Sequence, residues 1–318
     1  MPACHGVAME PIVQCIGLTK RYRKLVAVNG LDLTVTRGEV FGFLGPNGAG
    51  KSTTIRLLLG LIQPTAGEAL LFGEPVRTGR SRILRRVGAL VEEPAFYDYL
   101  SGRKNLEMLA AMSGGCPRAR IDEVLGLVGL TDRQHDRVHA YSHGMKQRLG
   151  LAQALLPHPD LVILDEPATG LDPAGLIEIR NLLRRLAANE GMTIFLSSHL
   201  LAEVEIICTD VGLVSRGRLV ARGKVADLLA RGEQQATVQV DDPARAAAAL
   251  GELPYVTQAE AADGLLTIHV AADRLADVNH CLVQAGLRVS ALIPQRERLE
   301  ELYMAIMAET ADADAAAR

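Results

Sequence analysis

Short apolar runs broken by glycine and polar turns fill the first part of the chain. Residues 26–35 read as a strand region. VFGFL, residues 40–44, reads as a buried strand that runs straight into a glycine-rich loop, and from 52 to 61 the apolar spacing turns helical. Between about 94 and 144 helical patterns dominate. Leu106, Leu109, Ala110 and Met112 share one predicted face, Val124, Leu125, Leu127 and Val128 form a second cluster, and SGGCP at 113–117 is a loop between them. LVIL at 161–164 is apolar throughout, as a strand covered on both faces should be. A helical stretch over 176–186 follows, then a short buried strand, TIFL, at 193–196, and two further strands near 211–214 and 219–221. Strands alternating with helices predict a mostly parallel α/β sheet with a helical insert.

The pattern changes after about residue 231. QATVQV and LLTIHV alternate polar with apolar, placing Val238 and Val240, then Leu266, Ile268 and Val270, on one covered face. Helix-like stretches occupy 243–250 and 274–285, and a third strand is expected near 287–293. The expected organisation is therefore an α/β domain over 10–231, with a helical subdomain over 94–144, and a small α+β domain over 232–308 that closes with a helix over 297–307. The residues from 309 to 318 are small or polar and are expected to be disordered.

Composition narrows the function. Apolar residues make up 48% of 318, enough for a sizeable core, while the formal charge of −3 and the absence of Trp argue against a nucleic-acid surface. The five cysteines, Cys4, Cys15, Cys116, Cys208 and Cys281, are odd in number and scattered. A disulfide framework or zinc site is not expected, and a reducing cytoplasm fits. The first residues lack the charged and apolar regions of a signal peptide, and no apolar stretch is long enough to span a bilayer. Work at a membrane would need another chain to do the spanning.

Gly45-Pro46-Asn47-Gly48-Ala49-Gly50-Lys51-Ser52-Thr53 fits the pattern G-x-x-x-x-G-K-S/T and lies between a predicted strand and helix. Glycines let backbone N–H groups converge on phosphate oxygens, and the helix N-terminus adds a favourable dipole. Lys51 places a cation against the β- and γ-phosphates, and the Ser52 hydroxyl can ligand Mg²⁺. Asp165 and Glu166 end the apolar run at 161–164, where a carboxylate is costly unless it meets a cation or donors. Asp165 is suited to hold Mg²⁺ through water, and Glu166 to polarise an attacking water. Read alone, the two acids could simply cap the next helix.

Residues 141–173, YSHGMKQRLGLAQALLPHPDLVILDEPATGLDP, resemble the signature-to-Walker-B block of the ABC ATPases. That family's signature is L-S-G-G-Q. Ser142 and Gly144 match it, whereas His143 and Met145 depart from it. The resemblance implies that Ser142 and Gly144 contact the γ-phosphate held by an opposite subunit; by itself Ser142 is a good N-cap for a helix starting near Met145. In the family's order, Gly170-Leu171-Asp172 resembles the D-loop, which passes information between two sites. His199, after the strand at 193–196, resembles the switch histidine, and Tyr22 resembles the aromatic residue that stacks on adenine. Alternatives are a plain surface histidine and an exposed hairpin tyrosine.

The family's Gln in the loop between core and helical subdomain is replaced by Glu92, within Val91-Glu92-Glu93-Pro94. A carboxylate can ligand Mg²⁺ but adds negative charge beside the triphosphate. The E-x-P-x-F/Y form resembles ATPases of ABC-2-type drug and peptide-antibiotic exporters, such as the bacitracin, lantibiotic and daunorubicin systems. The part beyond 231 resembles their accessory domain. His135, His139 and His143 are spaced i, i+4, but the helix must end before the signature, so a shared metal is not expected. The arginine-rich stretch 77–86 reads as a solvated face.

The resemblance implies a P-loop NTPase core that hydrolyses ATP with Mg²⁺. The site is completed head to tail by a second ATPase subunit, most simply a second copy. The chain should sit at the inner face of a membrane, against an integral-membrane permease. A soluble ABC ATPase acting on ribosomes or DNA is the competing reading. Such proteins tend to carry two cassettes or a long coiled coil, and this sequence has neither. A nucleotide sensor without turnover is disfavoured by the intact Glu166.

Overall fold

The computed structural model describes residues 10–229, 234–262, 264–270, 274–295, 299–300 and 303–304. The expected tail at 309–318, most of the expected helix over 297–307, and Cys4 lie outside them. The chain forms two compact units that divide between Gly223 and Lys224.

The first unit runs β1 (Pro11–Tyr22), β2 (Leu25–Thr36), β3 (Val40–Leu44), α1 (Lys51–Leu58), β4 (Ala66–Leu71), β5 (Glu74–Pro75), α2 (Val76–Ile83) and β6 (Val87–Leu90). It continues with α3 (Gly102–Met112), α4 (Arg118–Leu127), α5 (His143–Leu155), β7 (Leu161–Asp165), α6 (Pro173–Glu190), β8 (Thr193–Ser198), α7 (Leu201–Ile207), β9 (Asp210–Ser215) and β10 (Arg218–Lys224). Two sheets result. One is antiparallel, ordered β2-β1-β4-β5; the other is ordered β10-β9-β3-β8-β7-β6, with β9, β3, β8, β7 and β6 parallel.

Every residue of β3 and β7 is buried. Their odd-numbered side chains, Phe41, Phe43, Leu161 and Ile163, join Phe195 of β8, α1 and the inner face of the antiparallel sheet in one core. Phe195 stacks on Phe41 at 5.6 Å and meets Phe43 at 5.5 Å. The even-numbered residues Leu44, Val162, Leu164 and Leu196 are buried on the other face, which is why these strands read as unbroken apolar runs. The parallel strands all end on one side, and β3, β7 and β8 deliver Gly45, Glu166 and His199 there.

α1 is shorter than its expected span of 52–61. Gly60 adopts φ +62°, its N–H reaches the Leu57 carbonyl, and the Leu61 N–H reaches back to Arg56, a glycine stop that ends the helix. Met112, expected to share a face with Leu106, is 79% exposed at the end of α3. The face buried instead contains Asn105, whose amide accepts from the Tyr97 N–H and donates to the carbonyls of Tyr97 and Ser101, fixing the loop that enters the helix.

The second unit contains α8 (Val225–Leu229), β11 (Gln234–Val240), α9 (Pro243–Gly251), β12 (Val256–Ala262), β13 (Leu265–Val270), α10 (Leu275–Gln284) and β14 (Val289–Gln295). Its sheet is antiparallel in the order β12-β13-β11-β14, the split βαβ arrangement. Val238, Val240, Leu266, Ile268 and Val270 pack against Ala246 and Leu250 of α9 and Val278 and Leu282 of α10.

Candidate functional site

The loop after β3 is shaped by contacts that only glycine survives. A Cβ on Gly45 would lie 2.3 Å from the Val214 carbonyl oxygen, and one on Gly50 would lie 2.3 Å from that of Ala27. Gly48 and Gly50 also have φ of +82° and +103°, a region that side chains disfavour. Gly50 is the N-cap of α1 and offers no side-chain acceptor, and no acidic residue sits in the first turn. The first amides of α1 therefore face the loop's concavity with their dipole uncompensated, an arrangement suited to an anion. Pro46 and Ala49 close the loop through the Ala49 N–H and the Pro46 carbonyl, and Ala49 accepts in turn from the Gly217 N–H. Lys51 is 6% exposed, and its ammonium donates to the Gly45 carbonyl at 2.8 Å.

β7 carries Asp165 to the same side, almost wholly buried. Its carboxylate accepts from the Ser197 hydroxyl at 2.5 Å. The next residue, Glu166, takes φ +51°, a left-handed conformation that costs a non-glycine residue about 1–3 kcal/mol. Its N–H donates to the Ser197 hydroxyl at 3.0 Å and to the Ser197 carbonyl at 3.2 Å, so β8 holds the residue in that conformation. The Glu166 carboxylate reaches three groups: Lys51 Nζ at 3.2 Å, His199 Nδ1 at 2.7 Å and the Thr169 hydroxyl at 3.3 Å. Burial pushes the Glu166 carboxyl up, but the His199 hydrogen bond and the Lys51 ammonium outweigh it and hold the group below the ordinary glutamate value. Glu166 is thus kept ionised beside the loop. Lys51, Glu166, Thr169 and His199, with Asn47, Ser52 and Thr53, line a cleft of about 440 Å³; Asp165 is not among its lining residues.

Ser142 is the N-cap of α5 and accepts from the Met145 N–H at 3.2 Å. Asp172 caps α6 in the same way, accepting from Gly175 at 3.0 Å. A Cβ on Gly144 would meet only Leu171, at an ordinary 3.6 Å. Tyr22 ends β1, is 42% exposed, and has the Lys20 ammonium 5.0 Å from its ring centroid. Glu92 follows β6 at φ +64° and pairs with Arg56 of α1. None of Tyr22, Glu92, Ser142, Gly144 or Asp172 lines the cleft beside Lys51.

Residues 28–169, from β2 through the turn after Glu166, match the family model described as ABC transporter. The chain is 39% identical over 302 residues to the uncharacterized ABC transporter ATP-binding protein YhcH of Bacillus subtilis, covering 95% of this chain and 98% of that one. It is 38% identical over 300 residues to the bacitracin transport ATP-binding protein BcrA of Bacillus licheniformis, covering 94% and 98%. The chain belongs to the ABC transporter ATP-binding proteins. Its fold is shared with cbiO1 of Clostridium perfringens, part of the ABC transporter complex cbiONQ, at a TM-score of 0.65, 29% identity and coverage of 70% of this chain and 92% of that one. As a member of this family it is the ATP-binding and ATP-hydrolysing subunit of an ABC transporter. Among the described residues no helix is long and apolar enough to cross a membrane.

The structure brings together residues far apart in this ABC chain, Lys51 with Glu166 and Glu166 with His199. It also adds residues to which no motif assigns a role. Leu25 and Ala27 of β2 and Thr169 line the cleft, and Ser197 joins Asp165 to Glu166. In the sequence Ser197 stands just after the strand at 193–196, in the run that leads to His199, with no link to the two acids. Its signal would have been a hydroxyl one strand away from two acids, a relation that exists only once β7 and β8 pair.

Proposed function

We propose that this ATPase powers export of an antibiotic peptide, drug or lipid-like molecule through a separate integral-membrane permease. Two ATPase subunits, most simply two copies of this chain, would work together at the cytoplasmic face. The observation that carries the catalytic part is the convergence of Lys51, Glu166 and His199 on one cleft beside the glycine loop. Similarity over almost the full length to a bacitracin transport protein supports the cargo class. The organisation proposed is an ATPase domain over 10–231, with a helical subdomain over 94–144, and an accessory domain over 232–308.

The loop from Gly45 to Thr53 binds the triphosphate through backbone amides and Lys51. In this state Glu166 occupies the Lys51 ammonium; nucleotide phosphate takes over that contact and leaves Glu166 to its other partners. Ser52 of the cleft and Asp165, which Ser197 already orients at the end of β7, offer hard oxygen donors of the kind Mg²⁺ takes and would hold it. A bound Mg²⁺ supplies charge neutralisation at the β- and γ-phosphates. Glu166, kept ionised, accepts the proton of the attacking water, and His199 orients the carboxylate through its 2.7 Å contact while facing the phosphate end of the cleft. Ser142 and Gly144 serve the nucleotide of the other subunit. The open space around Gly144 fits this reading, because the chain's own packing does not demand glycine there. Asp172 caps α6, the exposed Tyr22 ring would exchange the Lys20 ammonium for adenine, and Glu92 would ligand Mg²⁺ only on leaving Arg56.

The test is recovery of tagged chain from detergent-solubilised membranes. A co-purifying multi-span membrane protein whose deletion restores sensitivity to an antibiotic supports the proposal. Ribosomes or DNA-bound factors without a membrane protein overturn the export reading.

A further inference from the structure

His143 stands at a position of the signature where the ABC pattern has glycine, and its side chain is not idle. Its Nε2 lies 3.2 Å from the Thr169 carbonyl oxygen. A carbonyl has no hydrogen to give, so the imidazole is the donor. The ring is seated on the next residue: a Cβ on Gly170, which takes φ +76°, would fall 3.1 Å from His143 Nε2. One turn further along α5, on the same face, the buried Gln147 amide donates to the Pro167 carbonyl at 2.9 Å. The i, i+4 pair therefore grips the segment Glu166–Thr169 at two carbonyls, those of Pro167 and Thr169. That segment is itself a turn, closed by the Thr169 N–H on the Glu166 carbonyl at 3.2 Å, and the Thr169 hydroxyl donates to the Glu166 carboxylate at 3.3 Å.

We infer that His143 is a positioning residue for hydrolysis, holding Glu166 of its own subunit in place through Thr169. The inference rests on the proposed role of Glu166. Its consequence is that α5, whose N-cap Ser142 and second residue Gly144 serve the opposite nucleotide in the proposed dimer, is mechanically tied to the base of the near site. Engagement at one site then sets the geometry at the other.

The experiment uses the full chain with its membrane partner. Steady-state phosphate release and ATPγS affinity are measured for wild type, His143→Ala, His143→Gln, Thr169→Val and the His143→Ala/Thr169→Val double variant. Hydrogen exchange of the segment 166–171 is followed in parallel. His143→Ala is expected to lower kcat about tenfold with ATPγS affinity within about twofold, since small misplacements of a catalytic group cost this much. His143→Gln, which keeps a donor, recovers most of the rate. The double variant is little worse than Thr169→Val alone, because both changes cut one path. Exchange over 166–171 quickens in His143→Ala and not in His143→Gln. A His143→Ala enzyme that turns over like wild type, a glutamine variant as slow as the alanine one, or full additivity with Thr169→Val overturns the inference. A wild type that releases no phosphate instead overturns the hydrolytic reading itself, and is told apart by that control.

Discussion

Replacing Ser197 with alanine probes the hinge of the whole site. The Ser197 side chain has no solvent exposure. Its hydroxyl donates to the buried Asp165 carboxylate at 2.5 Å and accepts from the Glu166 N–H at 3.0 Å. The Glu166 amide keeps a second acceptor, the Ser197 carbonyl at 3.2 Å, so the variant does not orphan it. Asp165 loses a donor, and a hydrogen bond to a charged group is worth about 1.5–3 kcal/mol. We therefore expect a loss of about 2 kcal/mol, which for a unit of this size lowers the unfolding midpoint by roughly 4–8 °C. The left-handed conformation of Glu166 is less firmly held, so kcat should fall by about tenfold or more while nucleotide affinity changes little. Calorimetry and phosphate release read the two effects. A double-mutant cycle with Asp165→Asn should give a coupling of about 1–2 kcal/mol. A Ser197→Ala chain that unfolds within about 1 °C of wild type, with coupling below about 0.5 kcal/mol, would show that the hydroxyl does not hold Asp165.

Three other outcomes follow from single contacts. Lys51→Ala should abolish the rise in unfolding temperature that saturating ATP gives wild type, about 2.7 kcal/mol at a hundredfold excess over Kd, as read by thermal unfolding with and without nucleotide. Glu92→Gln breaks a surface pair with Arg56 in which both side chains are at least 40% exposed, so stability should move by less than about 1 kcal/mol. ATP turnover and any resistance phenotype should nevertheless change, and unchanged values in both would remove any special role for Glu92. The Arg86 hydrogen bond, opposed by burial and aided by Arg37, holds the Asp160 carboxyl below its ordinary value. A depressed folded value adds stability that is fully present above the unfolded pKa of about 4 and is lost as pH falls through the folded one, so in urea titrations the gap between wild type and Asp160→Asn should hold at neutral pH and narrow as pH falls below about 4.

The buried parallel strands and the chemistry at their ends were legible because both leave strong local patterns. VFGFL and LVIL are apolar on both faces, and the glycines of 45–50 answer to steric demands visible in the motif itself. Less legible was β12, an edge strand in which only Val256 is buried, so no alternation marks it. β6 is four residues long, too short to show a period. Met112 was misplaced because the face of α3 is set by Asn105, a polar residue buried to satisfy a loop backbone, which an apolar pattern cannot register. Within the site, Ser197, Thr169 and the His143 contact depend on pairing between strands and on one helix meeting one turn. Such relations appear in the sequence only as separate polar residues.

The most direct test compares MgATP-dependent phosphate release by wild type and Glu166→Gln, with ATPγS binding measured alongside. The account expects both to bind nucleotide and the variant to release phosphate about a hundredfold more slowly or worse, because the loop and Lys51 are intact and only the proton acceptor is gone. Turnover by Glu166→Gln at the wild-type rate would contradict it.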